Sequence, residues 1–300
     1  MKSTCILCGN QKIRILYPEK QQKRPVTFPH RSHRYYKITQ SSGVRKNILQ
    51  CEECSLIFQE VNLDRSDILE WYVLGQDDQY LREFKNRVGN AKRILSLLSQ
   101  DGTGKRLLDV GCSTGILLYA AKEMGYDIYG IEPSKWAVEY IDARLGFKNI
   151  FCGSLEDYPI RENYFDVITL LDVIEHFSNP RRNLEIIHRL LKPDGKIVIL
   201  TPDIGSLMAR TFKSRWWCII PEHLFYFSRK TLRLLLEQTG FTVEKQMSIG
   251  RTFNLSHWAY KVVGERYKPW IENSILSKIP LHINLGDQML VVGSKGGIYA

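Results

Sequence analysis

Four of the seven cysteines fall in two pairs, Cys5-Ile-Leu-Cys8 and Cys51-Glu-Glu-Cys54. Each CxxC turn can place two thiolates on one knuckle, and two knuckles complete the tetrahedron that structural zinc prefers. The 42-residue gap between knuckles exceeds the usual ribbon spacing, although each knuckle has the right local form. An odd cysteine total argues against a fully paired disulfide framework. A CxxC pattern without a leader-like start points to metal in a reducing compartment. The residues from Met1 to Arg14 show no apolar leader, and no run approaches the ~18 apolar residues of a membrane span. A cytoplasmic protein is expected.

A second chemical segment is Leu107-Leu-Asp-Val-Gly-Cys-Ser-Thr-Gly115. It reads as the end of a buried strand, a glycine turn and the start of a helix. Glycines there let a ligand approach the backbone closely. Asp109 could meet a cationic amine at the strand end. Glu132 lies 23 residues further on, at the end of a second strand, where an acid can accept both hydroxyls of a ribose. The dinucleotide fingerprint GxGxxG is absent, and Gly102-Thr-Gly-Lys105 precedes the first strand and does not form a P-loop. A ribose-bearing ligand without a phosphate cradle is implied. The third group comprises Asp172, Glu175 and His176, with His223 further along the chain. A histidine titrating near neutral pH suits acid–base work, and oxygen plus imidazole donors also suit a divalent cation. A plainer alternative has Glu175 and His176 capping the next helix and His223 packing a loop.

These residues need a scaffold, and its pattern is readable. Val88, Ala91, Ile94, Leu95 and Leu98 recur at helical spacing. From about 105, strands are expected at 106–110, 127–131, 149–152, 165–171 and 196–200. Helices alternate with them at about 115–124, 134–145, 179–191 and 228–239. Strands at 241–247 and 288–293 close the series. Such alternation specifies an α/β fold, a Rossmann-like, mostly parallel seven-stranded sheet with helices on both faces. Residues 1–60 read as a turn-rich zinc-ribbon-like module with little periodicity, 61–104 as a helical connector, and 105–300 as the ligand-binding domain. An insertion is expected at about 250–283.

Four motifs resemble those of the class I S-adenosylmethionine-dependent methyltransferases: Leu108 to Gly115, Gly130-Ile-Glu-Pro-Ser134, Phe165 to His176, and Leu190-Leu-Lys-Pro-Asp-Gly195. The resemblance covers about 105–245. It implies S-adenosylmethionine as cofactor, with Asp109, Gly111, Cys112 and Gly115 around its methionine part. It also implies Glu132 and Pro133 at the ribose, Ser154 and Leu155 at the adenine, and Leu171 lining the cleft. Two departures stand out: Ser113 replaces a common glycine, and Ser154 stands where an aspartate is frequent. Over nearly the whole chain the sequence is similar to zinc-ribbon methyltransferases of sugar and surface-polysaccharide biosynthesis. Pro221-Glu-His-Leu-Phe-Tyr-Phe-Ser228 and Asn284 to Val292 belong to that likeness.

The expected activity is methyl transfer to an oxygen or carbon of a small, sugar-derived acceptor, with a nucleotide-linked sugar as candidate. His223 is the expected base, with Glu175 and His176 beside it. The acid-x-x-Glu-His segment is similar to one that binds magnesium in ubiquinone-pathway O-methyltransferases and small-RNA methyltransferases, so Mg2+ at this cluster is a second reading. The net charge of +10, concentrated between Lys20 and Lys46, admits nucleic acid as an alternative partner. An RNA methyltransferase and a non-catalytic cofactor-binding protein are therefore the competing classes. Composition and pattern leave the oligomeric state open.

Overall fold

The computed structural model describes residues 4–21, 44–60, 83–98, 101–256, 259, 270–271 and 274–296. Most of the basic stretch, the first part of the connector and much of the insertion lie outside them.

A seven-stranded sheet has the spatial order β12-β15-β10-β9-β6-β7-β8. Its strands are β6 (Arg106–Val110), β7 (Asp127–Glu132), β8 (Ile150–Cys152), β9 (Phe165–Leu171), β10 (Leu191–Pro202), β12 (Phe241–Ser248) and β15 (Gln288–Lys295). Strands β6 to β10 pair in parallel, while β15 runs antiparallel to both β10 and β12. The chain moves outward from β6 to β7 and β8, then returns to β9 on the other side of β6. That reversal opens a crevice at the carboxyl ends of β6 and β9, the place where open α/β sheets bind ligands.

Alternation along the strands builds two apolar layers. Leu108, Ile168, Leu170, Ile197, Ile199 and Val291 face one layer, where α4 (Pro180–Leu190) and α6 (Arg229–Gln238) bring Leu184, Ile187, Leu232 and Leu236. Leu107, Val167, Val198, Leu200 and Val292 face the other, against α1 (Phe84–Leu95) and α2 (Ile116–Glu123). A sheet covered on both faces explains its nearly continuous apolar strands. Helix α3 (Lys135–Leu145) starts at Ser134, whose side chain accepts from the backbone N–H of Ala137. Helix α4 starts with Asn179 as cap and Pro180 in its first turn. In α6, Ser228 and Thr231 cap each other reciprocally. Helix α5 (Leu207–Phe212) is a short helix after β10.

The described residues among the first 60, 4–21 and 44–60, hold more strand than their turn-rich sequence indicates. Strands β1 (Ile13–Tyr17), β4 (Ile48–Cys51) and β5 (Ile57–Gln59) form an antiparallel sheet, and β2 (Lys20–Gln21) pairs with β3 (Val44–Arg45). The strands are too short for alternation to stand out. A distant fourth strand completes the sheet: β11 (Phe225–Tyr226) pairs with β5, Phe225 opposite Phe58 and Tyr226 opposite Ile57. Cys5, Leu7, Cys51, Cys54 and Leu56 pack in the same apolar layer as β6 and α6. The insertion contains an antiparallel pair of β13 (Arg251–Asn254) and β14 (Pro280–Ile283). Among the described residues no helix is long and apolar enough to cross a membrane.

Candidate active site

Strand β6 ends at Asp109 and Val110, and the chain then turns through Gly111 to Gly115. Gly111 has φ of +72°, and a Cβ there would lie 2.7 Å from Cγ2 of Val173. Glycine is thus required twice, for the left-handed backbone and for the contact between the β6 turn and the end of β9. Ser113 also takes a left-handed conformation, φ +49°, which accounts for the glycine that the resemblance expects there. The N–H groups of Gly111 and Cys112 both donate to the carbonyl of Ile131, at 2.8 and 3.1 Å. The turn is thereby fixed against β7.

Glu132 is buried where β7 ends. One carboxylate oxygen accepts from the N–H of Ser113 and the other from the N–H of Ser134, both at 2.8 Å. Burial pushes its pKa up, and these two bonds oppose the shift. The group is held rigidly by one donor per oxygen, leaving lone pairs for a diol. Asp109 is also buried, and Thr169 donates to it at 2.6 Å. Burial, reinforced by the charge of Glu132, raises Asp109 to about 7. Thr114 Oγ1 is buried in the turn with no hydrogen-bond partner among the described residues. A cradle with an orphaned hydroxyl and two buried acids fits a ribose-bearing, cationic ligand.

The remaining residues expected at the cofactor lie along the same edge. Cys112 is buried in the turn, Pro133 follows Glu132, and Leu171 ends β9. Cys152 pairs with Glu132 in register, which carries Ser154 and Leu155 to the carboxyl end of β8. Ser154 donates its hydroxyl to Asp157, so an acid stands three residues after the position where one is frequent.

The third group gathers beyond β9. Glu175 and His176 lie on a short 3-10 turn, and His223 lies on the loop before β11. Potential ligand atoms of Glu175, His176 and His223 all lie within 4.8 Å of one another. The two imidazoles meet edge to face, 4.8 Å between centres. Nδ1 of His176 pairs with the carbonyl of Glu222, and Nδ1 of His223 with that of Cys218, each at 2.8 Å. A carbonyl can only accept, so both Nδ1 atoms carry the proton and, in the neutral rings, both Nε2 atoms carry a lone pair. Thr201 donates to one oxygen of Glu175 at 3.0 Å, while the other is buried without a partner among the described residues.

The structure corrects one chemical expectation. His223 is not poised near neutrality: burial, with a smaller contribution from His176, lowers it to about 3. Burial also takes His176 down to about 4, and burial with the charge of Asp172 lifts Glu175 to about 8. At neutral pH all three are uncharged. Asp172, the first acid of the segment, is turned to Arg251, whose Nη2 reaches its two oxygens at 2.6 and 2.7 Å. Neither Arg251 nor Thr114 stood out in the sequence. Thr169 left a trace, as the polar residue within the otherwise apolar run 167–171.

The four thiols of the cysteine module come together. Sγ of Cys5 lies 3.5 Å from that of Cys54, Cys8 is 3.5 Å from Cys51, and all four lie within 4.8 Å. Thiolates at about 2.3 Å from a tetrahedral zinc would stand about 3.8 Å apart, so the set fits this metal with little adjustment.

Known proteins share the sequence pattern and the fold. A family model described as a methyltransferase domain matches residues 80–246. The ubiquinone biosynthesis O-methyltransferase of Coxiella burnetii is 26% identical over 184 residues, 57% of this chain and 74% of that protein. The tRNA U34 carboxymethyltransferase of Desulfotalea psychrophila is 29% identical over 149 residues, 47% of this chain and 46% of that protein. A SAM-dependent methyltransferase of Thermotoga maritima superposes with a TM-score of 0.50 at 21% identity, covering 76% of this chain and 98% of its own. With the matched segment spanning more than half of the sequence and the sheet order of that fold in place, the chain belongs to the methyltransferase-domain family, built on the class I S-adenosylmethionine-dependent architecture with a zinc-ribbon-like cysteine module at its start.

Proposed function

We propose that this protein transfers the methyl group of S-adenosylmethionine to an oxygen or carbon of a small acceptor, with a sugar-derived molecule as the leading class. The observation that carries the cofactor part is Glu132, its carboxylate fixed by two backbone N–H groups beside the glycine turn. Glu132 and Pro133 would meet the ribose, and Asp109, Gly111, Cys112 and Gly115 the methionine moiety. Ser154 and Leu155 would meet the adenine, and Leu171 would line the cleft. Residues 1–60, 61–104 and 105–300 would serve as metal module, connector and catalytic domain. Cys5, Cys8, Cys51 and Cys54 would hold one structural zinc.

For an oxygen acceptor, the S–CH3 bond breaks as the O–CH3 bond forms, S-adenosylhomocysteine leaves, and the acceptor proton must go to a base. Holding the reacting atoms in line supplies much of the rate. His223, with Glu175 and His176 beside it, would orient the hydroxyl through a bare Nε2. A base at about 3 accepts the proton late, once the methylating oxygen has become strongly acidic. The acceptor class rests on the sequence likeness and on aromatic residues near this group, with the ring of Tyr226 6.3 Å from that of His223.

A second reading has a specific observation behind it. Two imidazoles with Nδ1 bound to backbone carbonyls and an unpartnered carboxylate oxygen form a set suited to a divalent cation. Glu175, His176 and His223 would hold the cation, which would polarise the acceptor oxygen.

Calorimetry tests the cofactor part. Glu132→Ala should weaken S-adenosylmethionine binding by roughly 2–3 kcal/mol, or more if both hydrogen bonds to the charged group are lost. Unchanged affinity would remove the ribose assignment, and a wild-type protein that binds no cofactor would leave a non-catalytic fold. His223→Ala should lower kcat by ~10²-fold or more on a true acceptor, with cofactor affinity retained. Loss of turnover in a chelator that leaves zinc bound, restored by Mg2+, would favour the cation over the unaided base.

A further inference from the structure

We infer that Gln59, at the end of the cysteine module, is a positioning residue that holds the His223 loop in place. Its side chain is buried, and Nε2 lies 3.1 Å from the carbonyl of Ile220, 3.1 Å from that of Pro221 and 3.2 Å from that of His223. One amide group, with two hydrogens, thus serves three carbonyls of a single loop. The backbone of Gln59 adds another bond, donating to the carbonyl of Leu224 at 2.8 Å. Leu224 in turn donates to the carbonyl of Glu175 at 2.8 Å. The chain of contacts runs from β5 through the loop to the Glu175–His176 turn.

The arrangement has a physical reason. Within the loop 220–224 the carbonyl of Ile220 accepts from the His223 N–H, and Tyr226 adds its hydroxyl, but for the carbonyls of Pro221 and His223 the donor is Gln59, and carbonyls left unpaired away from water are costly. Gln59 supplies the donors from outside. It stands five residues after Cys54, so the knuckle fixes the strand from which the amide reaches. The Nδ1–H of His223 points to the carbonyl of Cys218, two residues before that loop, so the orientation of the imidazole depends on how the loop is held against the preceding chain. The module therefore contributes one wall of the acceptor side. The importance of this orientation for methyl transfer rests on the function proposed above; the holding of the loop does not.

The test uses the full chain. Histidine is labelled with ¹⁵N, and the His223 Nδ1–H resonance is assigned by its loss in His223→Gln. Gln59→Leu keeps similar volume and takes the amide donor from the carbonyls of Pro221 and His223, while that of Ile220 keeps its bonds from the His223 N–H and the Tyr226 hydroxyl. Its expected result is a broadened or lost His223 Nδ1–H signal and hydrogen exchange over 218–226 faster by about tenfold, the equivalent of one lost hydrogen bond. Exchange in β6, β9 and β10 and the affinity for S-adenosylmethionine should stay at wild-type values. An unchanged His223 signal with unchanged exchange over 218–226 would overturn the inference. So would a uniform loss of protection across the large sheet, which would make Gln59 a general stability residue. If Gln59→Leu does not accumulate as folded protein, Gln59→Asn withdraws the amide by one carbon and is read in the same way. Absence of cofactor binding in the wild type would count against the methyltransferase reading and leave the loop measurement intact.

Discussion

At the scale of the residue, the two buried acids of the cofactor edge differ in what binding must do to them. Glu132 already has a backbone donor on each oxygen, whereas Asp109 has Thr169 and little else. Asp109 therefore rises to about 7 from an ordinary value of 3.8. The sign follows from linkage. Between about 4 and 7 the folded chain keeps a proton that the unfolded chain has released, so this group makes the fold less stable as pH rises through that window. Asp109→Asn should melt progressively higher than wild type as pH goes from 5 to 8 in the absence of ligand, and thermal scans at those pH values would show it. The cofactor carries an ammonium group, and ionised Asp109 would hold it best. Binding should then release a proton near pH 6 and weaken as pH falls below 7. Calorimetry in buffers of different ionisation enthalpy measures the released proton. A binding enthalpy independent of the buffer would separate Asp109 from the ammonium group.

At the scale of the element, the strand pairing between β5 and β11 decides what the metal supports. Zinc ligation and folding are one process in small cysteine modules. Taken alone, the four thiols would stabilise residues 4–60 and leave the large sheet to itself. The pairing of Phe225 and Tyr226 with Phe58 and Ile57 extends the dependence across a long stretch of sequence to the loop that carries His223. Protein purified without added metal should contain one zinc per chain by elemental analysis. Stripping it should speed hydrogen exchange in β1, β4, β5 and the 218–227 segment together, while β6, β9 and β10 keep their protection. Exchange that stays slow at 218–227 after the module has melted would show that the two regions are energetically separate. The apolar layer shared by Cys5, Leu7 and Leu56 with Leu224, Phe225 and Phe227 argues for their coupling.

At the scale of the whole molecule, the charge of +10 permits an RNA partner, and the match to a tRNA-modifying enzyme keeps that class in view. On the function proposed above, the gathered site, with uncharged Glu175 and His223 buried and uncharged His176 half-buried beyond β9, would take a small acceptor. RNA binding should accordingly be no tighter than the non-specific range, ~10⁻⁶ M or weaker at physiological salt. Filter binding with total tRNA at 50 and 200 mM salt would check this. A nanomolar complex surviving at the higher salt would transfer the acceptor assignment to RNA.

The sequence by itself determined the large sheet, the cofactor turn and the cysteine knuckles. Each is written in local pattern: apolar runs such as Phe165–Leu171, caps such as Ser134 and Asn179, and the glycines that a left-handed turn demands. The partners of these elements are near in sequence or repeat with a fixed period, so a linear reading reaches them. What only the tertiary structure decided lies in contacts without such a period. Gln59 meets carbonyls more than 160 residues away, and Arg251 reaches Asp172 across 79. The neutrality of His223 and the high pKa of Asp109 come from burial, a property of the assembled layers. No local spacing encodes how much water a side chain will lose, and that loss sets the chemistry of this site.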